Sequence, residues 1–412
     1  MARQPADSPR PLIVSAYLAF AAFGSFWGIW GASVPRVAEQ SGLGAGQLGF
    51  ALLFVGAGAL PAMLLAGRAL DRWGLRVASV AIGALGGVGA GLALTARDLV
   101  SLCIGLAFVG ATSGAADVAI NAVAGRAERS AGRPVITRAH GAFSSLVVLG
   151  SLATGWAAAA KLPLAVPFVA VAVASMVTGA ATFLMLPERG IPDGYEDCGA
   201  TNLADSHRWR IAPFVLIGVL GALAFASENA HQSWSAVFAE TELHTGAGPS
   251  AVAPAVFAGT VALTRFAVGG VRPDMSRTVL LAGAAATAAG TVLIASAPTL
   301  FVAAAGLAVA AAGTAVLFPT LLAVVSRNVD EARRGRATSI VTTVSYLGFL
   351  LGPVYVGLWA DAVGLRGAML AVAALAIALF LLIPVLLRRS GFDGRAADTV
   401  AEASGSAAKH RG

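Results

Sequence analysis

The chain has 412 residues, 57% of them hydrophobic and 12% charged, with a formal net charge of +7 and a mean hydropathy of +0.79. A water-soluble domain carries about 25% charge, so this composition excludes one and points to a chain dissolved mainly in lipid. The excess of 28 lysines and arginines over 21 carboxylates then reports membrane orientation and attraction to anionic lipid, not nucleic-acid binding.

Polar punctuation divides the sequence into twelve apolar runs, predicted as helices over 12–35, 47–66, 77–96, 99–124, 138–160, 163–186, 211–236, 250–269, 278–296, 300–325, 338–360 and 366–387. Each is long enough to cross a hydrocarbon layer roughly 30 Å thick at about 1.5 Å per residue. The first follows MARQPADSPR; it is too long for a cleaved signal peptide and reads as an uncleaved first helix. The predicted class is an all-α integral membrane protein, twelve transmembrane helices arranged as two pseudo-symmetric six-helix bundles. Residues 1–186 form the first bundle, 187–210 a cytoplasmic linker, 211–388 the second bundle and 389–412 a disordered cytoplasmic tail.

With the N-terminus inside, the termini and even-numbered loops hold 24 of the 28 lysines and arginines; Arg36, Arg97, Lys161 and Arg366 are the others. That asymmetry follows the positive-inside rule and would be scrambled by one missed span. The expected location is a bacterial inner membrane, multi-pass, with both termini cytoplasmic. Cys103 and Cys198 fall on different sides of this topology, so no structural disulfide is expected.

Along the spans, the first presents Phe23, Trp27 and Trp30 on a similar face, fit either to line a cavity or to pack against other helices. After the second comes GRALDRWGLR, Gly67 to Arg76, a polar turn with the form G-x-x-x-D-R-x-G-x-R. The fourth carries Ser113, Asp117 and Asn121 at i, i+4 and i+8, one polar stripe, serving either a pathway or helix pairing through Arg126 or Arg138. His140 and Ser144 share a face at the start of the fifth, with Thr343 and Tyr346 at the matching place on the eleventh. In the seventh, Glu228, His231, Gln232 and Ser235 fall at helical spacing, adjoined by Asn229 and Ser233. Intramembrane ionisable groups are costly and mark functional sites by default, and Glu228 near the bilayer centre beside His231 reads as a pair able to load and unload a proton. Arg265, near the inner end of the eighth span, is expected to snorkel to the interface; Trp156, Trp234 and Trp359 are expected in the interfacial belt.

A second turn, GVRPDMSR, repeats the G-x-x-x-D core with Gly270 and Asp274, about half a chain after Gly67 and Asp71. Trp30 and Trp234, and Gly42 and Gly246, lie 204 apart; Gly132 and Gly335, and Trp156 and Trp359, lie 203 apart. Parallel repeats place a substrate near the midplane between halves that rock against each other. GRALDRWGLR resembles the signature loop between helices 2 and 3 of the major facilitator superfamily, and the six-plus-six pattern covers nearly the whole chain. Four stretches, ASVPRVAEQSGLGAGQLG, DVAINA, GRPVITRAHGAFSSL and FASENAHQSWSAV, resemble a bacterial branch of largely uncharacterised facilitators distantly similar to sugar permeases.

The resemblance implies a gating role for Gly67, Asp71, Arg72, Gly74 and Arg76, and for Gly270 and Asp274. The acid at Asp71 would engage the N-terminal end of the eleventh helix when the inner gate is shut. It implies secondary active transport of a small organic solute by alternating access, coupled to protons, in a monomer surrounded by membrane lipid. A drug or metabolite efflux antiporter is the alternative, and a passive channel or an intramembrane enzyme are remote ones. The expected pathway residues are Glu228, His231, Gln232, Asn229, Asp117, Asn121, Trp27, Trp30, His140 and Tyr346. No nucleotide loop, metal-ligand spacing or cofactor motif occurs, so no cofactor and no enzymatic activity are expected.

Overall fold

A computed structural model describes residues 9–187, 211–268 and 273–392. The expected linker from residue 188, the tail from 393, Gly270 and Cys198 lie outside the described residues. The helices are α1 (Arg10–Gln40), α2 (Ala45–Trp73), α3 (Arg76–Thr95), α4 (Leu99–Ala131), α5 (Ile136–Ala159), α6 (Ala165–Met185), α7 (Ala212–Thr241), α8 (Val252–Val268, after a short turn Ala247–Ser250), α9 (Ser276–Ala295) and α10 (Leu300–Arg327). A further helical run, Glu331–Ser390, is 60 residues long but breaks at Gly364, whose φ of 77° is non-helical. Tyr355 donates its hydroxyl to Ala371 O at 3.1 Å, so the two limbs fold back on each other. They are α11 (331–363) and α12 (365–390).

Among the described residues, eleven helical segments are long and apolar enough to cross a membrane, and the broken run supplies the twelfth span. Several helices outrun their predicted limits, with α1 reaching Gln40, α2 Trp73 and α4 Ala131. Hydropathy marks the lipid-facing length, whereas a helix continues until a cap or a turn stops it. Asp98 starts α4 by accepting the Ser101 N–H at 2.8 Å. That donor holds the Asp98 carboxyl below its ordinary range. Gly132, with φ 62°, ends the same helix.

Small residues set the packing, since lipid offers no hydrophobic drive between helices. In the first half, a Cβ on Gly24 or Gly28 of α1 would strike the carbonyls of Phe143 and Val147 on α5. In the second, a Cβ on Gly348 of α11 would strike the Ala222 carbonyl of α7. The same two positions in each half, first with fifth and seventh with eleventh, are thus brought to backbone contact. Hydroxyls add hydrogen bonds there: Ser151 donates to Gly28 O at 3.0 Å and Ser345 to Gly218 O at 3.3 Å. The repeat is also written in the backbone, because Gly42 and Gly246 have φ of 65° and 72°.

Of the three tryptophans expected in the belt, Trp156 is 71% exposed and Trp359 43% exposed on the surface of the bundle, but Trp234 is 0% exposed. It packs in the core, because its side of α7 turns toward other helices and not toward lipid. The halves meet along α5 and α8, where a Cβ on Gly141 would lie 3.0 Å from Phe266 and one on Gly259 3.4 Å from Val148, and also at the ends remote from the arginine-rich turns. There Gly46 N, in the first turn of α2, donates to Asp361 Oδ1 of α11 at 2.8 Å. Any side chain at Gly46 would displace that carboxylate, and Gly49 lies close against Pro353 and Gly357. Gly155 of α5 similarly meets the turn at Gly248.

Replacing Gly28 by leucine is expected to destabilise the protein by about 1–3 kcal/mol, the usual scale of overpacking. Thermal unfolding in detergent checks this: an unchanged midpoint would show that α1 and α5 separate without loss.

Candidate functional site

Between the halves lies a cavity of about 240 Å³. From α1 it takes Phe23, Trp27, Trp30 and Gly31; from α2 Val55, Gly56, Ala59, Leu60 and Met63; from α4 Ser113, Gly114 and Asp117; and from α5 Phe143. The other wall is Asn229, Gln232 and Ser233 of α7 with Tyr346, Phe349 and Leu350 of α11. Where glycine contacts draw α1 to α5 and α7 to α11, aromatic rings meet on both sides in tilted or edge-on pairs. Phe23 stands 5.7 Å from Phe143, and Tyr346 stands 5.7 Å from Phe225 and 6.1 Å from Phe349.

The polar groups divide into those already satisfied and those that face the space. Asn229 donates to Phe349 O at 2.6 Å and accepts from Ser233 at 2.9 Å, which locks it as a bridge between α7 and α11. Asn121 is spent on Asp117, donating to its carbonyl at 2.9 Å and to Oδ1 at 3.2 Å. It supports the carboxylate from one turn away and does not line the cavity. Gln232 and the Tyr346 hydroxyl line the cavity and hydrogen-bond no described residue.

Two expectations about α7 are corrected. His231 does not couple to Glu228: its Nδ1 lies 2.6 Å from Ser227 O, its Nε2 lies 2.9 Å from Thr291 Oγ1 of α9, and its ring stacks on Phe257. It points away from the central cavity into the second bundle, where with Ser235 it borders a separate small void. Glu228 instead meets Arg265, whose Nη2 lies 3.2 Å from Glu228 Oε1. Arg265 Nε also lies 3.4 Å from Ala315 O of α10. The arginine therefore ties three helices together while its side chain stays 47% exposed, because a buried carboxylate left without a partner is costly.

His140 lies on the exposed start of α5, outside the cavity lining, with its ring centroid 4.8 Å from Phe20 and Nδ1 3.0 Å from Ile136 O. The aspartates of the two turns expected to gate, Asp71 and Asp274, lie at the surface. Asp71 is exposed and forms no hydrogen bond or ion pair with a described residue. A Cβ on Gly67 would meet nothing within 4 Å. Gly74, with φ 72°, makes the sharp turn out of α2, and Arg72 lies 5.7 Å over the ring of Trp73. Arg76 serves the first half itself, bonding Leu186 O at 3.0 Å and lying 4.6 Å over Phe183. Asp274 sits on the exposed turn Pro273–Met275. Sequence reasoning missed Arg265 as the partner of Glu228 and Asp361 as a contact between halves. An arginine within an apolar run was a signal for the first; an aspartate in a polar connection gave none for the second.

A multi-span helical bundle whose two halves close around a central polar-and-aromatic cavity defines a membrane transporter and not an enzyme. The chain belongs to the major facilitator superfamily, whose sequence model matches residues 16–275 and 274–409. It is 27% identical over 345 residues to an uncharacterized MFS-type transporter of Yersinia pestis, covering 84% of this chain and 88% of that one. It is 28% identical over 358 residues to an uncharacterized transporter of Sinorhizobium fredii, covering 86% and 92%. Among solved structures, the nucleoside transporter NupG superposes with a TM-score of 0.73 at 13% identity, covering 92% of this chain and 99% of that one. A bacterial homolog of the human lysosomal transporter Spinster, inward-facing and occupied, gives 0.72 at 14% identity over 94% and 98%. The xylose transporter XylE from E. coli, inward open, gives 0.71 at 14% identity over 91% and 96%. At such identities these structures establish the fold.

Removing the Arg265 guanidinium strands a largely buried carboxylate, 17% exposed. The Arg265→Met variant is expected to lose about 1–3 kcal/mol of stability, less than a fully buried pair would because Arg265 is half exposed. Adding Glu228→Met should recover part of that loss; a double variant no more stable than the single one would refute mutual compensation.

Proposed function

We infer that this chain is a secondary transporter that moves a small organic solute across a bacterial inner membrane by alternating access, with proton coupling and both termini cytoplasmic. The observation that carries this reading is a central cavity between two halves that touch through Asp361 and Gly46 at one end, while the gating residue Asp71 stands free of described partners at the other. With the arginine-rich turns inside, this is the inward-facing arrangement. Closure of the inner gate would bring Asp71 to the start of α11, where a carboxylate gains about 0.3–1 kcal/mol from the helix N-terminus. The outer contact already uses the same chemistry, with Asp361 accepting from the first turn of α2. Exchange of one such cap for the other is a rocking motion of two six-helix units, residues 1–186 and 211–388, working within a single monomer.

Proton coupling is assigned to Glu228. Its charge is held by Arg265 at 3.2 Å; a proton on Glu228 would discharge the pair and free Arg265 from α7, loosening α7 from α8 and α10. Transport and proton binding are thereby linked through helix packing and not through a shared ligand.

Two measurements test this. In proteoliposomes with an imposed pH gradient, a solute panel read by an internal pH dye should give solute-dependent proton flux in the wild type. Glu228→Gln should reduce that flux at least about tenfold, the scale of losing one charged partner, while solute-induced exchange persists; wild-type flux in the variant removes Glu228 from the role. Separately, Asp361→Ala should open the outer side. A cysteine placed at Ser233 in the cavity wall should then react several-fold faster, about the effect of losing one helix cap, with an impermeant thiol reagent added outside intact cells. Unchanged labelling would mean that Asp361 does not hold the outer gate.

A further inference from the structure

The cavity carries one acidic side chain. Of its nineteen lining residues, Asp117 is the carboxylic acid, and no lysine, arginine or histidine stands among them. Asn121 satisfies one of its oxygens at 3.2 Å. No described residue donates to the other. Tyr346 of α11 lines the same cavity, and His140 of α5, outside the lining, is turned onto Phe20 and Ile136 O. Arg265 of the second half is committed to Glu228. A carboxylate left in such a place without a counter-charge is costly, and the cost is met by a proton or by a cation that arrives from outside.

The rings around it favour the second. Trp27, Trp30 and Phe143 from the first half and Tyr346 and Phe349 from the second line the same space, and aromatic faces attract cations most where water is excluded. Gln232 and the Tyr346 hydroxyl, free of described partners, can bond a polar substituent. An anion would meet Asp117 as a like charge, and a neutral solute would leave it uncompensated. A cavity of about 240 Å³ lies just under the range of roughly 300–1,000 Å³ that holds drug-sized ligands.

We propose that the solute is a small organic cation, its ammonium held against Asp117 and its apolar or flat body taken between the aromatic walls of the two halves. This rests on the transport reading above but concerns binding, so the two fail separately. The test uses the full chain in lipid nanodiscs and isothermal titration with three probes of similar size: phenyltrimethylammonium, benzoate and D-xylose. Saturable binding is expected for phenyltrimethylammonium, with benzoate and xylose at least about tenfold weaker, the scale set by one desolvated charge pair. Asp117→Asn should weaken the cation by a similar factor, with Asp117→Glu retaining more of the binding than Asp117→Asn. Absence of saturable cation binding, equal or tighter binding of benzoate or xylose, or cation binding by a folded Asp117→Asn variant at wild-type affinity would each overturn the proposal. The probe comparison is made on the wild-type chain and decides the matter even where the variant fails to fold. Cation binding without movement across the membrane would refute the transport reading alone, and transport confined to neutral solutes would refute this inference alone.

Discussion

Everything central to this molecule depends on its halves being joined at one end. The junction is made by a carboxylate of one half seated on the unpaired N–H groups that begin a helix of the other, Asp361 on Gly46. Such groups have no partner within their own helix, so the acceptor supplied by the other half satisfies a need that exists whether or not the halves meet. Glycines at 46, 49 and 357 allow the two backbones close enough for that. On the alternating-access reading proposed above, this junction closes the outer end of the cavity.

A second division runs through α7. Its 3.6-residue period places Asn229, Gln232 and Ser233 toward the cavity, His231 and Ser235 toward the interior of the second bundle, and Glu228 toward Arg265. One helix therefore serves three environments through residues adjacent in sequence. The consequence is a separation of charges. The cavity carboxylate Asp117 belongs to the first half and has no cationic partner in the lining, whereas Glu228 is neutralised inside the second.

The spans, their number and the duplicated halves were legible from hydropathy, from the arginine bias and from landmarks such as Gly42 and Gly246, because lipid thickness and backbone geometry act on each segment locally. Phe23, Trp27, Trp30, Asp117, Gln232 and Tyr346 could likewise be gathered from spacing on a helix face, and they do line one space. Helix rotation was less legible. A polar face on a membrane helix is satisfied equally by a cavity or by a neighbouring helix, and spacing does not say which. His231 finds Thr291 sixty residues away, Trp234 finds the core instead of the interface, and Arg265 finds Glu228 instead of headgroups. Each outcome depends on which helix stands opposite, a fact carried by the whole assembly.

The distribution of indoles has an optical consequence. Trp27 and Trp30 look into the cavity, Trp156 and Trp359 lie on the outer surface of the bundle, and Trp234 is sealed within it. A water-soluble quencher admitted to the cavity would reach Trp27, whereas Trp30 is 4% exposed and shielded; brominated lipid tails would reach Trp156 and Trp359 from the side, and neither would reach Trp234. Trp73, 61% exposed, and Trp209 add to the emission, so single-tryptophan variants would let these indoles report separately on the cavity, the outer surface and the packed interior without an attached label.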